Sequence, residues 1–215
     1  MVEAPQRSAN GDLLMIFPTT LFVRSYKEDF KKEFKYIRNL EYEGQQVTGA
    51  FRTKDSYLLK HPELSKIKAF VLQSLDMYSD TVLGTKQKLS ITQAWIQRNP
   101  YGSFTHEHTH ANSLVSGVFY FRNEEHASIT FTKNEPNRIR APIHKHTRLN
   151  SDAFQFKPLS GDIILFPSGL RHSVPVNIKK ESRYCLAFNA FCFNELGVEG
   201  ESTHLTFKDI DEQRR

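Results

Sequence analysis

Three histidines stand at alternate positions in the stretch THEHTHANS, residues 105–113: His106, His108 and His110. In an extended strand, side chains at i, i+2 and i+4 point the same way. The three imidazoles would then share one face while Thr105, Glu107 and Thr109 share the other. Neutral imidazoles gathered on one surface are transition-metal ligands; the competing reading is a row of half-exposed polar residues on a sheet edge. A further histidine lies downstream in GDIILFPSGLRHSVPV, where His172 opens a strand, and Arg183 follows eleven residues later at the start of RYCLAFN. Two neighbouring histidines and one distant one supply three ligands on one side of a metal, leaving its other positions open to a bidentate cosubstrate and oxygen. An arginine pointing into the same barrel grips a carboxylate through a charge-assisted fork that lysine matches less well. A small dicarboxylate would be held at both ends.

The elements that must position these residues divide the chain. The first third reads as helical. SYKEDFKKEFKYIRNLEY opens with Ser25 and Glu28 in capping-box spacing, and Tyr26, Phe30, Phe34, Ile37 and Leu40 recur at three or four. HPELSKIKAFVLQSLDMY follows, with Pro62 suited to a first helical position and Ile67, Phe70, Val71, Ser74, Leu75 and Tyr78 along one stripe. Both apolar faces need a sheet to cover. From residue 90 onward, runs rich in Val, Ile, Phe, Tyr and Thr are separated by Gly, Pro and Asn: SITQAWIQ, SFTHEHTH, SLVSGVFYF, SITFTK, AFQFKP, DIILFP, HSVPV, RYCLAFNAF and THLTF. Without crossover helices between them, such strands build a jelly roll rather than a parallel sheet. The expected fold is mainly β with N-terminal helices, a double-stranded β-helix covered by helices. Residues 134–152 break the pattern with Pro, Asn and charge and read as a long loop at one barrel mouth. Its Arg138, Arg140, His144, Lys145, His146 and Arg148 could engage an acidic substrate or simply be solvated.

At 215 residues the chain suits one domain, with helical support over about 1–88, a jelly-roll core over about 89–193 and a C-terminal extension over 194–215. A balance of 29 Lys+Arg against 24 Asp+Glu, formally +5, favours anionic small ligands over a nucleic-acid-coating role. The N-terminal apolar run LLMIF is too short for a signal-peptide core or a membrane span, so the expected setting is cytoplasmic with no membrane partner. Cys185 and Cys192 lie seven apart on opposite strand faces, with no disulfide framework, which fits a reducing compartment.

HTHANSLVSGVFYF, GDIILFPSGLRHSV and RYCLAFN together resemble the phage- and bacteria-encoded 2-oxoglutarate- and Fe(II)-dependent oxygenases, relatives of the prolyl 4-hydroxylase group. The resemblance spans roughly residues 90–192, and MIFPTTLF near the start is also similar. It implies a hydroxylase that uses Fe(II), 2-oxoglutarate and O2, releases succinate and CO2, and oxidises a substrate the sequence does not name. It assigns His108 and His172 to the two metal-binding histidines, and Arg183 to the residue anchoring the far carboxylate of 2-oxoglutarate. Tyr120 falls where relatives place a tyrosine reaching the same carboxylate. The spacing to NSLVSGVFYF favours the pair 108 and 110 over 106 and 108, leaving His106 as a supporting, substrate-facing or surface residue. Position 110 departs from the family's Asp or Glu, so the predicted triad is His108, His110 and His172, and the iron site is about one unit more positive than usual. Glu107 points away and would replace the carboxylate only through a bulge. Cys185 stands where many relatives carry Ser or Thr, a change worth one hydrogen bond. In host or phage, the implied location is the cytoplasm.

Two other functions suit the same residues: a three-histidine dioxygenase that does not use 2-oxoglutarate, in which Arg183 has no assigned task, and a non-enzymatic jelly-roll binding module. Trp95 reads as core packing. Gln97 and Asn99 are candidates for touching cosubstrate, and Asn189 shares a side with Arg183 and reads first as a buried, hydrogen-bonded residue. Phe166 and Pro167 shape the strand end before His172. His126, His144, His146 and His204 have no identifiable partner in the sequence.

Overall fold

A computed structural model describes residues 17–123, 127–134, 139 and 141–207. Along the chain run β1 (Phe22–Ser25), α1 (Lys31–Arg38), β2 (Tyr42–Gly44), β3 (Phe51–Thr53), α2 (Ser65–Tyr78), β4 (Ser90–Asn99), β5 (Thr105–His108) and β6 (Val115–Arg122). They are followed by β7 (Ile129–Thr132), β8 (Ala153–Phe156), β9 (Asp162–Pro167), β10 (Arg171–Val174), β11 (Arg183–Phe191), β12 (Glu195–Leu196) and β13 (Leu205–Thr206). Two antiparallel sheets make the jelly roll: a seven-stranded one in the order β1-β9-β6-β11-β4-β3-β2 and a four-stranded one in the order β5-β10-β7-β8. β12 and β13 pair separately. No helix among the described residues is long and apolar enough to cross a membrane.

Period-two alternation in the central strands divides the large sheet into two faces. Val115, Phe119 and Phe121 of β6, Ile163 and Leu165 of β9, and Leu186, Phe188 and Ala190 of β11 meet Ile67, Phe70, Val71 and Leu75 of α2 in one core. The intervening residues Val118, Tyr120, Ile164, Phe166 and Cys185 turn toward the small sheet, where Ile129, Phe131 and Val174 close a second, smaller cluster. Each large apolar side chain buried there contributes about 1.5–3 kcal/mol relative to exposure. Gly117 of β6 marks the tightest approach, since a Cβ there would lie 2.1 Å from the Phe188 ring and 2.7 Å from Leu165.

The second helix buries Ile67, Phe70, Val71, Ser74, Leu75 and Tyr78, the stripe read from the sequence, and Pro62 begins a 3-10 turn that leads into it. The first helix is shorter than its pattern suggested. Ser25 closes β1 instead of capping a helix, its hydroxyl donating to Asp162 Oδ1 at 2.7 Å across the β1–β9 register. The helix begins at Lys31 with no side-chain cap. Tyr26 and Phe30 precede it and pack edge-on against Phe119. The first third is also not wholly helical, because β1, β2 and β3 add edge strands to the large sheet. The loop joining β7 to β8 is exposed over residues 141–149. Arg138, Arg140 and His126 lie outside the described residues.

Candidate metal centre

The antiparallel pairing of β10 with β5 sets His172 directly opposite His108. His110 lies beyond the end of β5, so it does not share a strand with His106 and His108 as simple alternation suggested. The chain leaves the strand and turns through Asn112, whose φ is 54°. The His110 N–H donates to the Ser168 carbonyl at 3.0 Å, just past the end of β9. One ring nitrogen from each of His108, His110 and His172 lies within 4.8 Å of the other two. The ring of His172 is 4.3 Å from that of His108 and 5.1 Å from that of His110, centroid to centroid.

Each ring's Nδ1 is already engaged. His108 Nδ1 lies 2.9 Å from the His106 carbonyl, His172 Nδ1 lies 2.9 Å from the Leu170 carbonyl, and His110 Nδ1 lies 2.5 Å from Asn189 Oδ1. An acceptor at Nδ1 fixes the proton there and leaves the Nε2 lone pair free. Burial pushes the His172 pKa down to about 4 and lowers that of His110, against the opposing pull of their hydrogen bonds. Both rings are therefore neutral near pH 7 and able to donate lone pairs. Phe166 meets the His172 ring edge-on at 4.8 Å, and Trp95 lies nearly parallel to His110 at 6.1 Å. Trp95 is thus half-buried on the cavity wall, not core packing; its position in β4 alternates with the core residues Ala94 and Ile96.

The three rings open into a cavity of about 780 Å³ between the sheets, which also takes in His106, Gln97, Asn99, Tyr120, Arg183 and Cys185. No carboxylate lines it among the described residues. The β10–β5 register shifts between His108 and Thr105, yet Glu107 is not turned into the cavity; it pairs with Arg171 at 2.6 Å. His106 is exposed, with its ring 5.5 Å from that of His108.

Arg183 is 6 % exposed. Its Nη2 donates to the Pro175 carbonyl at 2.9 Å, whereas its Nε is buried without a partner. Asn99, opposite Arg183 in the β4–β11 register, has an equally orphaned Nδ2. Burial lowers the Arg183 pKa, but a guanidinium keeps its charge in a protein. Buried donors left unpaired around a fixed cation describe an anion site, because leaving them unmade otherwise costs about 1–3 kcal/mol each. Burial raises the Tyr120 hydroxyl well above its usual range and pushes the Cys185 thiol up to about 12. Both are therefore neutral, protonated donors facing that cation. The donor set fits a divalent transition metal and, deeper in, a carboxylate.

Other histidines lie apart from this group. His61 bridges the Tyr36 hydroxyl at 2.5 Å and Asp55 at 2.8 Å. His204 meets Glu195 at 3.3 Å, a partner the sequence did not reveal. His144 and His146 are exposed on the β7–β8 loop and do not line the cavity.

The jelly roll brings imidazoles together at one end of its cavity and a buried guanidinium into the same space. Residues 93–189 match the model of the family described as "Putative 2OG-Fe(II) oxygenase". Through this segment, 97 of its 215 residues, the chain is similar to the 2-oxoglutarate- and Fe(II)-dependent oxygenases. Solved structures share its fold. HygX from Streptomyces hygroscopicus, with nickel, 2-oxoglutarate and hygromycin B bound, aligns with a TM-score of 0.58 at 14% identity over 80% of this chain and 82% of its own. A prolyl-4-hydroxylase from Pseudomonas putida aligns with a TM-score of 0.55 at 14% identity over 80% and 94%. A 2OG-Fe(II) oxygenase family oxidoreductase from Burkholderia pseudomallei aligns with a TM-score of 0.53 at 16% identity over 74% and 75%. Comparison with curated proteins gives no match.

Proposed function

We propose that His108, His110 and His172 hold Fe(II) through their Nε2 atoms, and that Arg183, helped by Tyr120, holds the far carboxylate of 2-oxoglutarate. The observation that carries this reading is the pairing of two unmet needs in one cavity. Three imidazoles have their Nδ1 atoms engaged and their other nitrogens turned to one point, and a buried guanidinium has a donor to spare. When bound, Fe(II) and 2-oxoglutarate supply the oxidising chemistry: O2 is consumed, 2-oxoglutarate becomes succinate and CO2, and a substrate C–H bond becomes C–OH.

The chain's own residues bind, orient and exclude water. Arg183 offers a charge-assisted fork that is buried in the cavity and short of a partner at Nε, and the neutral Tyr120 hydroxyl donates beside it. The backbone carbonyls of His106, in β5, and of Leu170, just before β10, orient two of the ligand rings. Val118, Ile129 and Val174 make apolar walls that keep bulk water from the cosubstrate. Because no carboxylate lines the cavity, the metal keeps its full charge, which strengthens its hold on an anionic chelator. The idle guanidinium that this reading employs would have no task in a dioxygenase that bypasses 2-oxoglutarate.

Both helices share one core with the large sheet, which supports reading the whole chain as one oxygenase domain. Two free cysteines on opposite faces of the sheet support a reducing, cytoplasmic setting. The test is to reconstitute the protein with Fe(II) and measure succinate released from 2-oxoglutarate, alongside iron uptake. Uptake of one iron with succinate formation is expected. Failure to take up iron would overturn the reading.

A further inference from the structure

The three candidate ligands are not held alike. His108 and His172 each take their Nδ1 acceptor from a main-chain carbonyl two residues earlier, which no substitution can remove. His110 depends instead on a side chain from another strand, Asn189 of β11, 79 positions away. We propose that Asn189 is a positioning residue for the third metal ligand. Its Oδ1 holds His110 in the Nδ1–H tautomer and turns Nε2 toward the point the three rings share. This rests on the three-histidine metal reading above and assigns a role to a residue outside the ligand set.

Asn189 is itself braced. It is 8 % exposed, and its Oδ1 also accepts the hydroxyl of Ser116, which is fully buried, at 3.1 Å. Ser116 Oγ lies 2.8 Å from Ser168 Oγ, and Ser168 donates to Ser113 Oγ at 2.8 Å. Ser113 in turn meets the Val115 and Ala190 carbonyls at 3.1 and 3.3 Å. The chain of hydroxyls thus ends on the backbone of β6 and β11. The same Ser168 accepts the His110 N–H through its carbonyl. Main chain and ring of His110 are therefore tied to one buried polar cluster, while Trp95 covers the ring face. A ligand beyond the end of its strand needs such bracing, because the ladder no longer fixes its direction. An aspartate or glutamate ligand would have no tautomer to set; an imidazole in that place does.

Supporting partners of this kind typically contribute about 10- to 100-fold to metal affinity. The experiment titrates the full-length apo-protein with Co(II), reading affinity and the cobalt d–d spectrum. Asn189→Leu, which removes the acceptor at similar volume, is expected to weaken Co(II) binding by about 10- to 100-fold and to change the spectrum. Asn189→Asp, which keeps an acceptor, is expected to restore both. In a His110→Ala background, Asn189→Leu is expected to cost nothing further. Equal binding by the leucine variant, or an equal loss in both backgrounds, would overturn the proposal. Should Asn189→Leu not fold, Asn189→Ala carries the same comparison. Wild-type protein that takes up no Co(II) would instead bring down the metal reading itself, and this inference with it.

Discussion

The two faces of the large sheet come from the same strands and obey opposite rules. Along β11, Leu186, Phe188 and Ala190 point toward the helices and are wholly buried in a dry aromatic and aliphatic core. Residues of the other parity, Arg183, Cys185 and Asn189, point toward the small sheet, and two of these three are charged or strongly polar yet still more than nine-tenths buried. One face gains stability from close packing; the other holds polar groups out of water along the wall of a cavity. A period of two places both on adjacent residues. Stability and chemistry should therefore be separable by substituting neighbours.

The sharpest separation is expected at His172, where alanine should abolish metal-dependent succinate formation while far-ultraviolet circular dichroism stays unchanged. Retained turnover would erase the distinction between the faces. Phe188→Ala, on the other face, should cost about 3–5 kcal/mol of stability in denaturant unfolding, with Co(II) affinity in the folded protein left intact. A Phe188 variant that loses metal binding before it loses stability would show the faces to be coupled. Arg183→Ala should raise the KM for 2-oxoglutarate about 10- to 100-fold, the worth of hydrogen bonds to a charged group at about 1.5–3 kcal/mol. Its unfolding free energy should move much less than that of Phe188→Ala, since the guanidinium makes one hydrogen bond among the described residues. Cys185→Ser is the smallest change. A hydroxyl donor beside Arg183 should lower the same KM a few-fold, in line with about 0.5–1.5 kcal/mol for one neutral hydrogen bond.

Much of this division is visible in the sequence where the strands are long. The bounds of β9 and β11 follow from DIILFP and RYCLAFNAF because each is a continuous run of strand-forming residues. The stripe of α2 is legible for the same reason at the other period. What escapes is short or depends on a partner. β1, β2 and β3 have three or four residues each, too few to show alternation, and form because a ready sheet edge accepts them. Ser25 matches a helix cap locally, yet Asp162, a distant residue, claims its hydroxyl. His108, His110 and His172 can be listed from spacing, but the turn that carries His110 off its strand and the amide that meets its Nδ1 are tertiary facts. Trp95 misleads because a lone aromatic in a strand looks like core from either side; only the neighbour beneath it, His110, tells which face it serves. Asn189 was legible as buried and polar, but nothing in the sequence joins it to a histidine 79 positions earlier.

β5 is a four-residue edge strand whose only ladder partner among the described residues is β10, and those two strands carry His108 and His172 face to face. An ion held between the rings would act as a clasp on this seam of the barrel, linking loading to its closing. Starvation for the ion would then loosen the rim before the interior notices. Deuterium uptake along Thr105–His108 would serve as a gauge of how full the protein is.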